Sequence, residues 1–185
     1  MFQVRIHGRG GQGAVTAAEM LSVAAFKEGR HAQAFPSFGS ERTGAPVVSF
    51  CRIDDREIRL REPVLSPDAL IVQDPTLFQT VDVFQGLPAN GFVLINSPRR
   101  LDELHLDGVL GRLPPGHARC VPAGELARLH VGRPLPNAAL LGGFAAMTGL
   151  IRLESVLAAI REAFPGRIGE ANANAAAAAF EHCLA

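Results

Sequence analysis

Gly8-Arg9-Gly10-Gly11-Gln12-Gly13 is the stretch on which the fold turns. It follows an alternating apolar segment, Phe2-Gln3-Val4-Arg5-Ile6-His7, and precedes an Ala/Leu-rich run from Ala14 to Phe26. Period-two alternation predicts a strand over 2–7, and the run after it predicts a helix over 12–29 that ends near Gly29. A glycine turn between a first strand and a first helix is where α/β proteins receive phosphate groups. Backbone N–H groups and the positive end of the helix dipole converge there. Gly8-x-Gly10-x-x-Gly13 fits the dinucleotide pattern, which is a weak signal when it stands alone.

Downstream segments build a sheet around that turn. His31-Ala32-Gln33-Ala34-Phe35 predicts a short second strand, and Pro36 to Pro46 a loop rich in Gly, Ser and Pro. Pro46 to Ile53 predicts a strand, with Asp54-Asp55 turning it into Glu57-Ile58-Arg59-Leu60 as a β-hairpin. Ala69-Leu70-Ile71-Val72-Gln73 and Gly91 to Asn96 are apolar runs of the kind buried on both faces of a parallel sheet. Thr76 to Phe84 suggests a short helix, Ala118 to Val121 a weaker strand and Ala123 to His130 a helix. Asn137 to Leu150 is apolar around most of its circumference and reads as a buried helix. Leu153 to Phe164 is amphipathic, and Gly169 to Leu184 is an Ala-rich helix. The fold class expected is α/β: one Rossmann-like, mostly parallel sheet flanked by helices on both sides, with a β-hairpin addition and a helical C-terminus. Residues 1–185 show no internal repeat or long linker, so a single domain is expected.

Composition narrows the function classes. The chain has 185 residues, with 18 Lys+Arg balanced by 18 Asp+Glu. Zero net charge is not the footprint of a nucleic-acid binder. No apolar run reaches the ~18 residues that span a bilayer, and the N-terminus has no basic segment leading into an apolar one. A cytoplasmic location is the expectation, with no membrane or nucleic-acid partner. Cys51, Cys120 and Cys183 are far apart and form no CxxC pair, so a zinc site or iron–sulfur cluster built by this chain is not expected.

The dinucleotide reading needs an acidic residue ~20 residues beyond the turn, at the end of the second strand. The segment there is Gln33-Ala34-Phe35-Pro36-Ser37-Phe38-Gly39, without an acid. Nor does the chain contain the G-x-x-x-x-G-K-[ST] phosphate loop. Arg9 and Gln12 suit an anion or a partner's carboxylate. The alternative is that the glycines only permit a tight turn and close strand–helix packing. In a doubly wound sheet the loop around Gly39, Glu41 and Arg42 leaves the same carboxyl edge as the glycine turn, with Arg42 facing an anion and Glu41 anchoring amides. An ordinary solvated turn is the competing account. No catalytic set emerges. Ser37, Ser40, Ser49, Ser66, Ser97, Cys51 and Cys120 lack a nearby base or nucleophile elbow, and the six histidines show no HxH or HxxxH spacing.

Three segments together resemble a known family. The Gly8–Gly13 turn, Phe35-Pro36-Ser37-Phe38-Gly39-Ser40-Glu41-Arg42-Thr43-Gly44-Ala45-Pro46 and Arg52-Ile53-Asp54-Asp55-Arg56-Glu57-Ile58 resemble the gamma subunit of the 2-oxoacid:ferredoxin oxidoreductases. Pro136-Asn137-Ala138-Ala139-Leu140-Leu141-Gly142-Gly143 resembles the start of that family's buried helix, and Leu153 to Leu157 and Glu170-Ala171-Asn172 fit its last helices. The resemblance runs in order over nearly the whole chain.

It implies a multisubunit complex that oxidatively decarboxylates a 2-oxoacid with coenzyme A to acyl-CoA and CO2. Thiamine diphosphate with Mg would sit on alpha and beta subunits, iron–sulfur clusters on another subunit, and FAD in some members. Ferredoxin or NAD would accept electrons. This chain would bind none of these cofactors alone, and would be a non-catalytic subunit that helps form the coenzyme A site. The residues carried over as ligand- or interface-binding are Gly8, Arg9, Gly10, Gly11, Gln12, Gly13, Gly39, Glu41, Arg42 and Asn137. Thr43 stands where many relatives carry Arg or Gly, which leaves that position without an anion-binding role. The alternative is a stand-alone nucleotide-binding module or NAD(P)-dependent dehydrogenase domain.

Overall fold

The computed structural model describes residues 1–37 and 42–185. The strands are β1 (Phe2–Arg9), β2 (His31–Pro36), β3 (Pro46–Asp54), β4 (Ala69–Val72), β5 (Phe92–Asn96) and β6 (Ala118–Val121). The helices are α1 (Ala14–Lys27), α2 (Asp107–Leu110), α3 (Ala123–Val131), α4 (Asn137–Thr148), α5 (Leu153–Ala163) and α6 (Gly166–Leu184). They enclose one six-stranded sheet in the order β2-β3-β1-β4-β5-β6. The ladders β1–β4, β4–β5 and β5–β6 are parallel, while β3 runs antiparallel to both β1 and β2. The α/β class and the helical C-terminus are as expected.

Two details of the expected architecture differ. The antiparallel addition is the β2–β3 pair; Glu57–Leu60 is not a strand. Ile53 already pairs with Phe2 on one side and Ala32 on the other, so β3 offers Glu57–Leu60 no free edge. The long helices also gather on one face rather than two. Val4, Ile6, Cys51, Ile53, Ala69, Ile71, Leu94 and Val121 form one core with α1, α4, α5 and α6. On the opposite face, Leu70, Val72, Val93 and Ile95 meet Leu77, Val83 and the short turns around Leu101 and Leu110. The crossovers there carry Pro75, Pro88, Pro98, Pro114 and Pro115, which interrupt helical hydrogen bonding. The expected 76–84 helix accordingly shrinks to a 3₁₀ turn at Pro75–Gln79.

Arg5 binds that irregular face to the sheet. Its side chain is 7 % exposed and donates to the carbonyls of Val64 (3.3 Å), Val83 (2.9 Å) and Gln85 (2.6 Å). Its Nε donates to His7 Nε2 at 3.0 Å, so His7 is neutral with its proton on Nδ1. A buried guanidinium is tolerable only when its donors are filled in this way.

The sheet order places a crevice. From β1 the chain goes to β2 and β3 on one side. From β3 it crosses to β4, β5 and β6 on the other. The loops after β1 and β4 therefore diverge from neighbouring strand ends, the arrangement at which open α/β sheets take ligands. Both β1 and β2 are antiparallel to β3, so they end at the same edge. The 37–45 connection starts and finishes there.

Candidate functional site at the carboxyl edge

Three loops meet at this edge. Gly13 is the N-cap of α1, at φ 75°, and its carbonyl accepts the Ala17 N–H at 2.9 Å. No side chain caps the helix, so its first N–H groups face the edge. The returning end of the 37–45 loop lies against the turn: Gly10 donates to the Ala45 carbonyl at 2.9 Å and Gly44 donates to the Gly10 carbonyl at 3.0 Å. Gly10 and Thr43 form an isolated parallel bridge. Gly10 of the glycine turn and Thr43, Gly44 and Ala45 of the second motif are thus in direct contact.

Arg9 straps all three loops together. It donates to the Gly44 carbonyl at 3.0 Å and to Thr76 Oγ1 at 2.9 Å, and its Nε lies 3.3 Å from Asp74 Oδ2. Gln12 works beside it, accepting the Arg9 N–H at 2.8 Å and donating to Asp74 Oδ2 at 3.0 Å. The carboxylate that Arg9 and Gln12 were suited to hold is the chain's own Asp74. The other Asp74 oxygen accepts from Thr76 N (3.0 Å) and Thr76 Oγ1 (2.6 Å). Burial alone would raise the Asp74 carboxyl, but Thr76, Gln12 and Arg9 outweigh it and hold it below the usual range.

Asn137 comes from the far end of the chain. It begins α4, is 5 % exposed, and donates weakly to the Gly13 carbonyl at 3.4 Å while accepting the Ala138 N–H at 2.9 Å. It braces the turn from below. Arg42 is exposed beside the bridge. Gly39 and Glu41 lie outside the described residues. Sequence reading missed Asp74, Thr76 and Gln73. The available signal was position: Gln73-Asp74-Pro75 closes the buried strand that pairs with β1. Gln73 is 1 % exposed, packs against Gly8, and neither of its amide atoms has a partner among the described residues. Unpaired buried amides cost about 1–3 kcal/mol each.

Among the described residues no group of three or more His, Cys, Asp or Glu is placed to hold a metal ion. The three cysteines lie on β3, β6 and α6. This donor set does not suit an iron–sulfur cluster, and the described residues supply no carboxylate set for a divalent ion. No described helix is long and apolar enough to cross a membrane.

A glycine turn strapped to a second loop stands at the switch point of an open α/β sheet, the edge at which sheets of this class take ligands. The fold agrees with a solved structure, the pyruvate oxidoreductase subunit PORC of Thermotoga maritima, at a TM-score of 0.81 and 34 % identity, covering 97 % of this chain and 95 % of that one. The sequence model of pyruvate ferredoxin/flavodoxin oxidoreductase matches residues 3–182, and the chain belongs to that family. The "Pyruvate/ketoisovalerate oxidoreductases common subunit gamma" of Thermococcus kodakarensis is 50 % identical over 97 % of this chain and 96 % of its own length. "Pyruvate synthase subunit PorC" of Methanothermobacter marburgensis is 46 % identical over 98 % and 97 %.

Proposed function

We propose that this chain is the gamma subunit of a cytoplasmic 2-oxoacid:acceptor oxidoreductase. It is a non-catalytic component, forming a single domain over residues 1–185, of a complex that oxidatively decarboxylates a 2-oxoacid with coenzyme A. Near-full-length identity of 46–50 % to relatives named as gamma or PorC subunits carries the reading. Thiamine diphosphate with Mg belongs to alpha and beta partners, and iron–sulfur clusters to a further subunit, with FAD where NAD rather than ferredoxin is the acceptor.

Within the complex, the surface formed by Gly8–Gly13 and the Gly39–Glu41–Arg42 loop meets the thiamine-binding subunits or the phosphates of coenzyme A, with Asn137 bracing it. The two roles of arginine separate here. Arg9 is engaged with Asp74, Thr76 and Gly44, whereas Arg42 is exposed beside the turn. Arg42→Ala therefore tests the surface, and Arg9→Ala tests its scaffold. Expression with its neighbouring subunits should give co-elution with larger thiamine- and iron-containing chains. Arg42→Ala should then raise the KM for coenzyme A or weaken assembly. A monomer that elutes alone with bound NAD(P) would favour the dehydrogenase alternative. Unchanged assembly, KM and turnover in Arg42→Ala would remove the surface role.

A further inference from the structure

A second feature lies at the opposite end of the sheet, away from the glycine turn. β6 is an edge strand. Val93 N donates to the His117 carbonyl at 2.7 Å and Ser97 N to the Val121 carbonyl at 3.0 Å, and Ile95 pairs with Cys120. In a parallel ladder one residue turns both its N–H and its C=O to the same side. His117, Arg119 and Val121 therefore face β5, while Ala118 and Cys120 present theirs outward. Among the described residues, none of these four outward groups has a hydrogen-bond partner.

Beside this edge runs a groove of about 500 Å³ whose lining includes Ser97, Arg99, Arg100, Arg119, Cys120 and His182. The basic side chains come from three elements: the turn after β5, β6 itself and the last turn of α6. Asp102 is the acid in the lining, and it sits 3.3 Å from Arg100. Arg99 and Arg119 pair with no described residue. Their positive charge is local, since the whole chain is balanced. The turn that presents Arg99 is held in shape, with Arg99 N donating to Ser97 Oγ at 3.0 Å and Arg100 N to Glu103 Oε2 at 2.8 Å.

We propose that the β6 edge and its arginine-lined groove take an acidic, extended segment of a partner chain as a seventh strand. The two observations are independent and point to one occupant. Outward backbone groups require a strand-like ligand, because only an extended chain supplies donors and acceptors at that spacing. Unpaired guanidiniums beside them require carboxylates, and in a strand every second side chain faces the same way, about 6.8 Å apart. A small anion would meet the arginines and leave the edge unpaired. This surface is separate from the glycine turn, and the proposal stands whichever role that turn has.

The test uses the ¹⁵N-labelled full chain and a blocked hexapeptide of alternating Glu and Val, with the Lys/Val analogue and inorganic phosphate as controls. The Glu/Val peptide should shift the Ala118 and Cys120 amides and slow their hydrogen exchange, and should bind more weakly as salt rises. Arg99→Gln and Arg119→Gln, both at exposed positions, should each weaken binding roughly twofold to fivefold, the range of exposed ion pairs. Equal binding of the Lys/Val peptide, or unchanged affinity in the double variant, would overturn the proposal. So would a response to phosphate at Arg99 and Arg119 with no peptide-dependent protection of Ala118 and Cys120. Protection of those amides that grows with protein concentration alone would assign the edge to a second copy instead.

Discussion

Gly10→Ala is the substitution that tests how the glycine turn and the 37–45 loop are joined. A Cβ on Gly10 would fall onto the Arg42 carbonyl oxygen and lie 3.2 Å from the Thr43 Cα, both backbone atoms that cannot rotate away. The loop must move, and with it go the Gly10–Ala45 and Gly44–Gly10 hydrogen bonds. Two such bonds contribute about 1 kcal/mol each, and overpacking adds about 1–3 kcal/mol. The expected loss is about 3–5 kcal/mol. Gly11→Ala is the control. Gly11 has φ 93° with nothing within 4 Å of its would-be Cβ, so only backbone strain of about 1–2 kcal/mol applies. Urea unfolding of the full chain reads both, with the slope expected to stay unchanged. In a thermal scan Gly10→Ala should fall by roughly 10 °C and Gly11→Ala by a few degrees. If Gly10→Ala cost no more than Gly11→Ala, the close approach of the two loops would not hold the edge together, and the reasoning would fail.

Three further outcomes are expected. His7 is pushed down to about 3, first by burial and then by the Arg5 charge, so the unfolded chain binds the proton and the folded chain does not. Stability should be complete above pH 6.5 and decline as pH falls toward 3. His7→Gln should flatten the urea midpoint between pH 6.5 and 4.5, and an unchanged slope there would contradict the assignment. Asp74, held low against its own burial by Thr76, Gln12 and Arg9, contributes stability above the ordinary carboxylate range that is lost as pH falls through its folded value. Asp74→Asn should cost about 1 kcal/mol at pH 7 and nothing once the native carboxyl is protonated, measured by unfolding at both pH values. Cys51 is 0 % exposed and burial pushes its thiol up to about 12, so a thiol reagent should label it only after unfolding. Labelling of native Cys51 as fast as half-buried Cys120 would show that β3 opens.

Much of this architecture is legible along the chain because strand and helix periods are local. Phe2–His7 lies within β1, Ala69–Gln73 and Gly91–Asn96 each overrun their strands (Ala69–Val72 and Phe92–Asn96) by one residue, and α1, α4, α5 and α6 begin within three residues of their sequence limits. Glu57–Leu60 was misread because a hairpin was the nearest available partner for β3. The partners it has instead are β1, between Arg9↔Pro46 and Phe2↔Ile53, and β2. Long helices on the second face were misread because proline-broken crossovers keep apolar content without helical continuity.

The residues of the glycine turn were visible, and so was the absence of an acid after β2. That absence argues against a dinucleotide site, which stays the alternative, and directs attention to the paired loop. What Arg9 and Gln12 do was not visible. Their partner, Asp74, is 62 residues from Gln12, and only the sheet order brings β4 beside β1. Sequence by itself determined the elements and the chemistry on offer, since backbone preference and hydrophobic period act over a few residues. Tertiary structure decided which charges are engaged within the chain and which are left exposed. Arg9 closes on its own chain, Arg42, Arg99 and Arg119 are exposed, and no local interaction specifies that difference.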